Sequence, residues 1–446
     1  MAKIAIIGTG ISGLGAAWLL HPRHEITVYE RAPRVGGHAR TVTVDYDGTR
    51  IPVDTGFIVF NRPNYPNLTG LFRHLGVRVH ESDMTFAASI RGGWLEWGAK
   101  DLDTVFGQRR NLLRPRFALL LRDVWKFNAG AEATVERHPH FTLSQLLDHM
   151  RLGDWFRRFY LLPMAGAIWS CPLSEMLRFP ARSLVRFFVN HHLLSFAGQP
   201  QWYTVTGGSQ EYVSRLSAPF ADRIRTACGA AAVTRHGGKV QVRDVHGETE
   251  IYDQVVLACH GDEARGLLMD ADPVERAALA PFRYQRNVAV LHRDPSVMPR
   301  RRRCWASWTY HSDGEMSHPR ITVSYWMNRL QGIDERYPLF VSLNPKCVIR
   351  PEFVFDHAEF DHPVFDNAVI AAQPRVQALQ GVRNTWFCGA HLRHGFHEDG
   401  LASAVHVARL LGCPIPWEAA QKPAESAASW NAPLLPVPDF SSVPAQ

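Results

Sequence analysis

Lysine, paired cysteines and long apolar runs are scarce in this chain, and each shortage excludes a class of protein. Only six of the 49 basic residues are lysines, so arginine supplies nearly all of the positive charge. The seven cysteines form no C-x-x-C pair and no metal-ligand spacing, which predicts no metal site and reduced thiols in a cytoplasmic protein. No uncharged segment is long enough to cross a bilayer, and the first strand begins too early to leave room for a signal peptide.

The overall composition is that of a globular protein with a basic surface. A length of 446 residues exceeds what one hydrophobic core supports, which predicts two domains. Hydrophobic residues make up 46% and charged residues 20% of the chain, and the formal net charge is +7. No helix-turn-helix, zinc or RNA-recognition signature accompanies this charge, so no nucleic-acid partner is expected. The charge instead favours a basic face that lies against an anionic membrane surface.

A dinucleotide-binding unit opens the chain. Residues 3–20 read as a strand, the turn Gly8-x-Gly10-x-x-Gly13 and an apolar helix, and a second strand ends at Glu30. Gly8 permits the tight turn, Gly10 lets the backbone approach a pyrophosphate, and Gly13 lets the helix pack on the strand. Glu30 would accept hydrogen bonds from a ribose diol. The order of strand, turn, helix and acid predicts a Rossmann-like fold rather than an ordinary glycine-rich turn.

Further glycine motifs favour FAD over NAD as the cofactor. The turn Arg34-x-Gly36-Gly37 brings more N–H groups beside a diphosphate, which NAD enzymes do not usually need. Near the C-terminus, the pair Gly400-Leu401 is expected to set a helix N-terminus against an electron-poor ring and to stabilise its reduced form. No second Gly-x-Gly-x-x-Gly follows a strand, so no NADPH domain is expected. Electrons are therefore expected to leave to oxygen or to a quinone.

These motifs resemble those of the FAD-binding amine-oxidase and phytoene-desaturase superfamily. The shared features are Gly8-x-Gly10-x-x-Gly13, Glu30, Arg34-x-Gly36-Gly37, and Gly389 followed by Gly400-Leu401. Longer segments resemble a bacterial subgroup of predicted NAD/FAD-binding flavoproteins that is often associated with fatty-acid modification. Those segments are Asp54–Asn61, Tyr284–Asn287, Val290–His292, Ser324–Gln331, Ser342–Pro345 and Gly395–Gly400. The likeness covers the chain to about residue 412.

The resemblance implies an α/β fold, with a Rossmann-like FAD-binding domain of the GR2 type and an interleaved α+β substrate domain. The FAD domain is expected to comprise residues 1–70, 196–265 and 370–415, and the substrate domain residues 71–195 and 266–369. Residues 416–446, rich in Pro, Ala and Ser, are predicted to form a tail. FAD is expected to bind non-covalently, with a tunnel for a lipid acyl chain ending at the flavin. The residues predicted to bind FAD are Gly8, Gly10, Ile11, Ser12, Gly13, Glu30, Arg31, Arg34, Gly36, Gly37, His38, Thr55, Gly56, Phe57, Ala230, Ala258, Gly389, Ala390, Gly400 and Leu401.

The scarcity of lysine and the abundance of histidine decide the candidates for proton transfer. Amine oxidases of the superfamily generally place a lysine near the flavin, and Lys346 is the only lysine in a suitable region. The chain has 22 histidines, whose ordinary pKa suits acid–base catalysis. Any single histidine is better explained by a structural hydrogen bond, so the prediction concerns the group. The candidate catalytic residues are His260, His391, His394, His397, Glu398 and Tyr325.

Three further features each have two interpretations. Residues 70–195 read as helical, and within them residues 111–125 form an amphipathic helix that either packs on the protein or lies on a membrane. The run Arg300–Arg303 is either a solvated loop or an anchor for a carboxylate or phosphate. A group of aromatic residues either lines an apolar tunnel or fills a core. Its members are Trp305, Trp308, Tyr310, Tyr325 and Trp326.

Four functions are compatible with the sequence. The first is an FAD-dependent oxidoreductase that removes a hydride from an unsaturated fatty acyl chain, as a desaturase or oxidase, with phospholipid as one form of the substrate. The others are an amine or porphyrinogen-type oxidase, a double-bond isomerase, and a non-catalytic flavoprotein partner of a lipid-modifying enzyme. The scarcity of lysine argues against the amine oxidase, and an open tunnel to the flavin would argue against the non-catalytic partner.

Overall fold

The computed structural model describes residues 1–169, 172–195, 198–314 and 321–419. Cys171, Lys422 and residues 420–446 of the predicted tail lie outside these ranges. Packing continues to the C-terminal end of the described chain. Trp417 is buried, stands against Gly70 and stacks on Trp18 with ring centroids 6.0 Å apart.

The described chain contains 20 strands and 16 α-helices, with a run of consecutive helices from α3 to α9. The strands are β1 (Lys3–Ile7), β2 (Glu25–Tyr29), β3 (Thr41–Tyr46), β4 (Thr49–Asp54), β5 (Val59–Asn61), β6 (Val79–Ser82), β7 (Phe86–Ile90), β8 (Leu95–Gly98), β9 (Trp202–Val205), β10 (Ile224–Arg225), β11 (Ala230–His236), β12 (Lys239–Asp244), β13 (Thr249–Tyr252), β14 (Gln254–Leu257), β15 (Arg283–His292), β16 (Trp308–Ser312), β17 (Thr322–Trp326), β18 (Phe340–Leu343), β19 (Val354–Val364) and β20 (Thr385–Phe387). The α-helices are α1 (Ile11–Leu20), α2 (Pro66–His74), α3 (Leu102–Val105), α4 (Pro115–Arg137), α5 (Leu143–His149), α6 (Asp154–Phe156), α7 (Leu162–Trp169), α8 (Leu173–Met176), α9 (Ala181–Asn190), α10 (Gln210–Ser217), α11 (Gly261–Leu267), α12 (Pro273–Leu279), α13 (Met327–Gln331), α14 (Asn367–Gln377), α15 (His397–Leu410) and α16 (Pro416–Ala419).

The nucleotide-binding half is built on a five-stranded parallel sheet with the order β10-β2-β1-β14-β20. Its central strands are apolar runs with almost no exposed residues, as a parallel sheet covered on both faces requires. The strands come from three separated parts of the chain. α1 packs on α15, where a Cβ on Gly15 would stand 2.8 Å from Leu401. The Rossmann-like sheet predicted from the sequence is confirmed.

The substrate half is built on a seven-stranded sheet with the order β19-β15-β18-β17-β16-β7-β8. Neighbouring strands are antiparallel except β16 and β7, which makes the sheet mixed. β15 and β19 pair at ten positions, and this register places Gln285 opposite His362. The mixed α and β substrate half predicted from the sequence is therefore confirmed.

The prediction that residues 70–195 are helical is wrong for residues 79–98, where β6, β7 and β8 lie. The run Phe86-Ala-Ala-Ser-Ile90 is short and rich in small residues, so its periodicity does not distinguish a strand from a helix. Its partner decides the matter, because Trp308 of β16 lies opposite Phe86 in the sheet. Strand propensity depends on this kind of distant packing more than on local sequence.

A helical layer formed by α4 to α9 contacts this sheet. α4 buries Phe117, Leu120, Val124 and Phe127, whose spacing of three or four residues marks one face of a helix. The helix begins at Pro115, because a proline at the first position needs no hydrogen-bond partner for its nitrogen. The opposite face of the same helix is exposed.

Asp54 joins the two halves through its buried carboxylate. The hydroxyl of Thr41 donates to it at 2.6 Å, and the N–H and hydroxyl of Ser209 both donate at 2.8 Å. The Asp54 N–H donates to Oε1 of Gln331 at 2.8 Å. Burial raises the pKa of Asp54 to about 6, and the donated hydrogen bonds oppose this rise. The carboxylate thus fixes β4, α10 and α13 relative to one another.

The described ranges contain neither a membrane-spanning helix nor a cluster of metal ligands. No helix there is long and apolar enough to cross a membrane. No group of three or more His, Cys, Asp or Glu side chains within the described ranges is arranged to hold a metal ion. The six described cysteines are free, and four of them are buried.

Candidate active site

The first glycine turn shapes one end of a large cavity. Gly8 has a φ of +104°, and a Cβ there would stand 2.9 Å from the carbonyl oxygen of Ala258. A Cβ on Gly13 would stand 1.9 Å from the oxygen of Gly8, so α1 can start this close to β1 only with glycine. No atom lies within 4 Å of a Cβ placed on Gly10, and no side chain caps α1. The N-terminus of α1 is therefore accessible to an anion.

The second glycine turn lies on the first. Gly37 has a φ of +56°, and a Cβ there would stand 2.9 Å from Cα of Gly10. Gly36 has a φ of +112°, and Arg34 donates to the carbonyl oxygen of Gly37 at 2.9 Å. Two backbone turns without side chains therefore form a cradle at the N-terminus of α1. This cradle fits the diphosphate of the dinucleotide that the sequence predicts.

Glu30 follows β2 at the same end of the cavity. Its Oε2 accepts hydrogen bonds from the N–H of Thr9, at 3.0 Å, and from the Thr9 hydroxyl, and its Oε1 accepts from the N–H of Ala32 at 2.8 Å. These donors fix the carboxylate in the cavity lining and leave lone pairs for the hydroxyls of a ribose. The ion pair between Arg31 and Glu263 stands where this end of the cavity reaches the surface.

One continuous cavity of about 1200 Å³ extends from these turns into the substrate half. Pockets for one small ligand are typically about 300–1,000 Å³, so this volume suits a dinucleotide together with part of a second molecule. Most of the predicted site residues line it. They are Gly8, Gly10, Ile11, Ser12, Glu30, Arg31, Gly37, His38, Thr55, Gly56, Phe57, Ala230, Ala258, His260, Tyr325, Gly389, Ala390, His391 and His397.

The part of the cavity in the substrate half is apolar. Its lining includes Met84, Phe86, Trp97, Val105, Phe117, Leu120, Leu121, Val124, Tyr160, Met164, Ile168, Phe187 and Val341. The lining also includes the exposed residues Lys100, Asp101 and Leu102, and, after α9, the exposed Ser195 and Gln199. The apolar chamber therefore reaches the surface at places other than the Arg31 end.

Three histidines and a tyrosine meet in the lining between the two halves. His260 stacks on Tyr284 with ring centroids 4.1 Å apart, and the ring of His38 lies 5.4 Å from that of His362. Burial, with smaller effects of the neighbouring histidines, lowers the pKa of His38 well below its usual value. Within the described residues, Nε2 of His38 is buried without a hydrogen-bond partner. A polar group bound in the cavity would supply the partner that such a nitrogen requires.

A chain of amides fixes the tautomer of His362. Asn344 accepts from the N–H of Val288 at 2.9 Å and donates to the oxygen of Ile321 at 3.1 Å, so its amide orientation is set by the backbone. It also donates to Oδ1 of Asn287 at 2.7 Å. The Nδ2 of Asn287 therefore faces Nδ1 of His362, at 2.8 Å, and must donate to it. His362 consequently carries its proton on Nε2.

Burial keeps this imidazole uncharged. Burial, with a smaller effect of the neighbouring His260, lowers the pKa of His362 to about 4. At neutral pH, His362 is therefore a neutral ring whose Nε2–H is a hydrogen-bond donor in the cavity lining.

His391 and His397 line the cavity beside this histidine group, and the ring of His391 lies 6.4 Å from that of Tyr284. The ring of His391 fills the space beside Gly389, where a Cβ would stand 2.3 Å from its Cε1. The ring of His397 stacks on Phe57 with centroids 3.9 Å apart, and a hydrogen bond of 2.5 Å joins its Nε2 to the hydroxyl of Tyr212. Burial lowers the pKa of both histidines to about 3. Both are therefore neutral at physiological pH.

Seven of the predicted site residues lie outside the lining, namely Gly13, Arg34, Gly36, His394, Glu398, Gly400 and Leu401. The carboxylate of Glu398 accepts from the N–H groups of Asn67 and Leu68, both at 3.0 Å, at the start of α2. Burial raises the pKa of Glu398 to about 7, and these donors oppose the rise. Burial has the opposite effect on a histidine and lowers the pKa of His394. The carbonyl oxygen of His394 accepts a hydrogen bond from the indole of Trp169 at 3.2 Å.

The helix expected to begin near Gly400 begins one turn earlier, at His397, so that expectation is wrong. Asp399 accepts from the N–H of Phe396 at 2.9 Å, which satisfies a backbone group at the helix start. A Cβ on Gly400 would stand 2.8 Å from Oγ of Ser12, so glycine is needed where α15 crosses α1. The contacts of Gly400 and Leu401 are therefore helix-packing contacts.

The aromatic group predicted from the sequence is divided between two places. Trp308 and Tyr325 line the cavity, with ring centroids 5.2 Å apart, and burial raises the pKa of Tyr325 above its usual value. Trp305 and Trp326 pack together in a separate cluster outside the lining, with ring centroids 5.3 Å apart. Tyr310 is buried in the main core. Both interpretations of the group thus hold, each for different members.

The run Arg300–Arg303 is packed against the protein. Arg301 forms an ion pair of 2.8 Å with the fully buried Glu96, and the guanidinium of Arg302 lies 3.9 Å from the ring centroid of Trp305. The buried carboxylate requires this arginine, because an unpaired charge in the core is costly. Arg301 is therefore anchored to the core, whereas Arg300, Arg302 and Arg303 are exposed, as the interpretation of a solvated loop expects.

The structure adds His362, Tyr284 and Phe360 to the cavity lining. Tyr284 lies in a segment that already carried the resemblance, so a signal for it was present. His362 had no such signal, because it reaches the cavity only through the pairing of β19 with β15.

Comparison with known families and structures is consistent with this geometry. A family model described as flavin containing amine oxidoreductase matches residues 11–292 of the chain. A search of curated proteins returned no match.

Solved structures with the same fold include enzymes of different kinds. A fatty acid isomerase from P. acnes that produces CLA is 17% identical, with a TM-score of 0.63 over 92% of this chain and 98% of its own. A cyclohexylamine oxidase from Brevibacterium oxydans IH-35A is 16% identical, with a TM-score of 0.62 over 92% and 99%. A putrescine oxidase bound to putrescine is 15% identical, with a TM-score of 0.63 over 92% and 98%. These likenesses establish the fold.

Proposed function

The chain belongs to the flavin-containing amine oxidoreductase family, and we propose that this FAD-dependent oxidoreductase removes a hydride from an unsaturated fatty acyl chain. The observation that carries the proposal is the continuity of the cavity. About 1200 Å³ joins the glycine cradle to an apolar chamber lined by leucine, phenylalanine, methionine and tryptophan side chains. Such a surface gains free energy by removing a hydrocarbon chain from water.

Residues from all three parts of the nucleotide-binding half would hold FAD. Gly10 and Gly37 leave the backbone open to the diphosphate, and Glu30 offers its carboxylate to the ribose. Gly389 and Ala390 line the cavity beyond His38. When bound, FAD supplies the acceptor for a hydride from a substrate carbon. The protein must then exclude water, orient the acyl chain and remove one proton.

We propose His260 as the base that removes this proton and His362 as a donor that orients a polar group. His260 is fixed by stacking on Tyr284 and lines the cavity. His362 donates from Nε2, because Asn287 occupies its Nδ1. A pKa of about 3 makes His391 a weak base at neutral pH. Loss of a hydride and a proton from adjacent carbons leaves a new double bond in the chain.

An amine substrate is less well supported. Lys346 forms an ion pair of 2.9 Å with Asp313 and does not line the cavity. Among the described lysines, Lys100 alone lines it, at the exposed end of the apolar chamber. An open chamber also argues against a non-catalytic flavoprotein. We propose oxygen or a quinone as the electron acceptor, and an anionic membrane surface as the source of the acyl chain.

Anaerobic mixing of the purified, FAD-loaded protein with single compounds tests the proposal. Linoleic acid, oleic acid and a linoleoyl phospholipid are compared with putrescine and benzylamine, and bleaching of the yellow flavin band reports reduction. Stearic acid is the matched control for chain length without a double bond. Products are identified by mass spectrometry before and after oxygen is admitted.

We expect bleaching by the unsaturated chains and a product that is lighter by two hydrogen atoms. A product of unchanged mass with a displaced double bond, formed without oxygen consumption, would identify an isomerase instead. Bleaching by the amines alone would replace the proposal with an amine oxidase. No bleaching by any compound would favour the non-catalytic partner.

A further inference from the structure

The most exposed apolar side chains of the helical region lie before α4 and in its first half. They are Leu102, Leu112, Leu113, Leu119 and Trp125. Leu113 is 87% exposed and Trp125 is 66% exposed. Their neighbours Phe117, Leu120 and Val124 point inward and line the cavity. α4 therefore turns an apolar face to the chamber and leaves Leu119 and Trp125 exposed to solvent.

Arginines from two distant parts of the chain converge beside these leucines. Arg114 donates to the carbonyl oxygen of Trp94 at 3.0 Å, while Arg110 and Arg301 donate to that of Gly93 at 3.3 and 3.2 Å. The arginine run at 300–303 and the amphipathic helix thus form one continuous basic surface. The sequence of neither segment predicts that the two lie close together.

The charge on this surface is predominantly positive. Residues 100–126 contain seven basic and three acidic side chains. Asp123 pairs with Arg122 at 2.8 Å and Asp103 pairs with Arg109, so an excess of four basic side chains, seven less three, remains. Arg116 lies exposed on α4 between Leu113 and Leu119. Arg116 and Leu119 are three residues apart on α4, so a basic and an apolar side chain are neighbours near its start.

The exposed residues adjoin an opening of the cavity. Lys100, Asp101 and Leu102 are exposed and belong to the cavity lining, and they lie at the start of α3. Val105, at the end of α3, also lines the cavity. A chain entering beside Leu102 would therefore pass directly into the apolar chamber.

We propose that Leu112, Leu113, Arg116 and Leu119 form a docking face for an anionic lipid bilayer, from which the acyl substrate enters beside Leu102. This inference rests on the proposed function. Exposed leucines insert at the acyl boundary, while arginine binds the anionic headgroups. The excess positive charge disfavours a second copy of the same surface as the partner, because like charges would face each other.

Vesicle sedimentation with the FAD-loaded protein tests the docking face without any need for turnover. The vesicles are phosphatidylcholine alone, or phosphatidylcholine with phosphatidylglycerol, at low and high salt. The variants are the double substitution L112S/L113S and the charge reversal R116E, none of which alters a residue of the cavity lining. The matched controls are M269S/V274S, which alters equally exposed apolar residues elsewhere, and R243E on an exposed strand.

We expect the wild type to bind the anionic vesicles and to be released by high salt. R116E should weaken binding at least fivefold, because one basic residue near an anionic surface contributes about that factor. L112S/L113S should weaken it at least tenfold, and both controls should bind like the wild type. Equal binding to neutral vesicles, or unchanged binding by both test variants, would overturn the proposal. So would a dimer in size-exclusion chromatography that L112S/L113S dissociates.

A second measurement separates this inference from the proposed function. Flavin reduction by monomeric free fatty acid should be unchanged in L112S/L113S, because the chamber is intact. If free acid reduces the flavin but no vesicle is bound, the docking face alone is wrong. If vesicles are bound as expected but no acyl compound reduces the flavin, the proposed function is wrong.

Discussion

The Nδ2 of Asn287 lies 2.8 Å from Nδ1 of His362, and the amide of Asn344 prevents Asn287 from turning over. This contact makes His362 a neutral donor to the cavity. At neutral pH the fixed amide displaces no proton from His362, because burial already lowers the pKa of this ring to about 4. The hydrogen bond from Asn287 therefore keeps the proton of His362 on Nε2.

Asn287→Asp should change the protonation of His362. A carboxylate beside Nδ1 favours the imidazolium, so the pKa of His362 should rise by more than one unit. Because the ring lines the cavity, the absorption spectrum of bound FAD should then titrate between about pH 5 and 8, whereas that of the wild type should not. Spectra recorded across this range are the measurement.

The double variant N287D/H362Q is the control for this titration. It keeps the carboxylate and removes the imidazole, so the spectral change should vanish. If the titration persists in the double variant, another group is responsible and the assignment to His362 is wrong.

Gly37→Ala should abolish FAD binding. Its Cβ would stand 2.9 Å from Cα of Gly10, between the two turns, and the substitution also strains a φ of +56°. Gly237→Ala is the matched control, because its φ is +57° and no atom lies within 4 Å of its Cβ. The control should lose only about 1 kcal/mol of unfolding free energy, which is the cost of an alanine at positive φ.

Flavin content per protein after purification, with urea unfolding of both variants, tests this difference. Equal flavin content in the two alanine variants would show that strain at positive φ, and not the cradle, limits binding.

Leu121→Trp should shorten the acyl chain that the enzyme accepts. Leu121 lines the apolar chamber, whereas Leu119, two residues earlier on α4, is exposed. The larger ring should raise KM for long chains about tenfold or more and leave short chains unaffected. Leu119→Trp should change neither. Flavin reduction rates against a series of chain lengths, with both variants, measure the effect.

Glu398→Gln should alter the pH dependence of stability. Burial raises the pKa of Glu398 from 4.5 to about 7, so ionisation in the folded state is unfavourable. The wild type has its full stability, as far as Glu398 contributes to it, below about pH 4.5, where the carboxyl is protonated. This part of the stability is lost as the pH rises through 7. The variant cannot ionise, so relative to the wild type it should gain up to about 3 kcal/mol between pH 5 and 8.

Urea unfolding at several pH values tests the direction of this change in stability. Glu248→Gln, at an exposed position, should follow the wild type throughout. A variant whose stability relative to the wild type falls between pH 5 and 8 would contradict the burial of an ionisable carboxyl at this position.

The nucleotide end of the cavity was predictable because its determinants are local. Gly8, Gly10 and Gly13 stand within one turn, and the strand, turn and helix that they require are written in adjacent residues. Glu30 was also accessible, since its distance from the turn follows from the length of one βα unit.

The substrate end was less predictable because tertiary pairing creates it. His362 meets His38 only after β19 pairs with β15, and β7 becomes a strand only beside β16. The place of Glu398 beside two histidines in the sequence predicts a catalytic role, yet its carboxylate contacts the start of α2. The direction of a side chain on a helix depends on where that helix begins, and the start of α15 was misplaced by one turn.

The central parallel sheet has a consequence for how the protein is made. β1 and β2 emerge early from the ribosome, but β14 and β20, which complete the sheet, are separated from them by more than 200 residues. The early strands must wait with an unpaired edge until these arrive, and contacts of such sequence separation form slowly. Cofactor capture is therefore a late event, and a nascent chain of this protein depends on protection from aggregation until its final third has been synthesised.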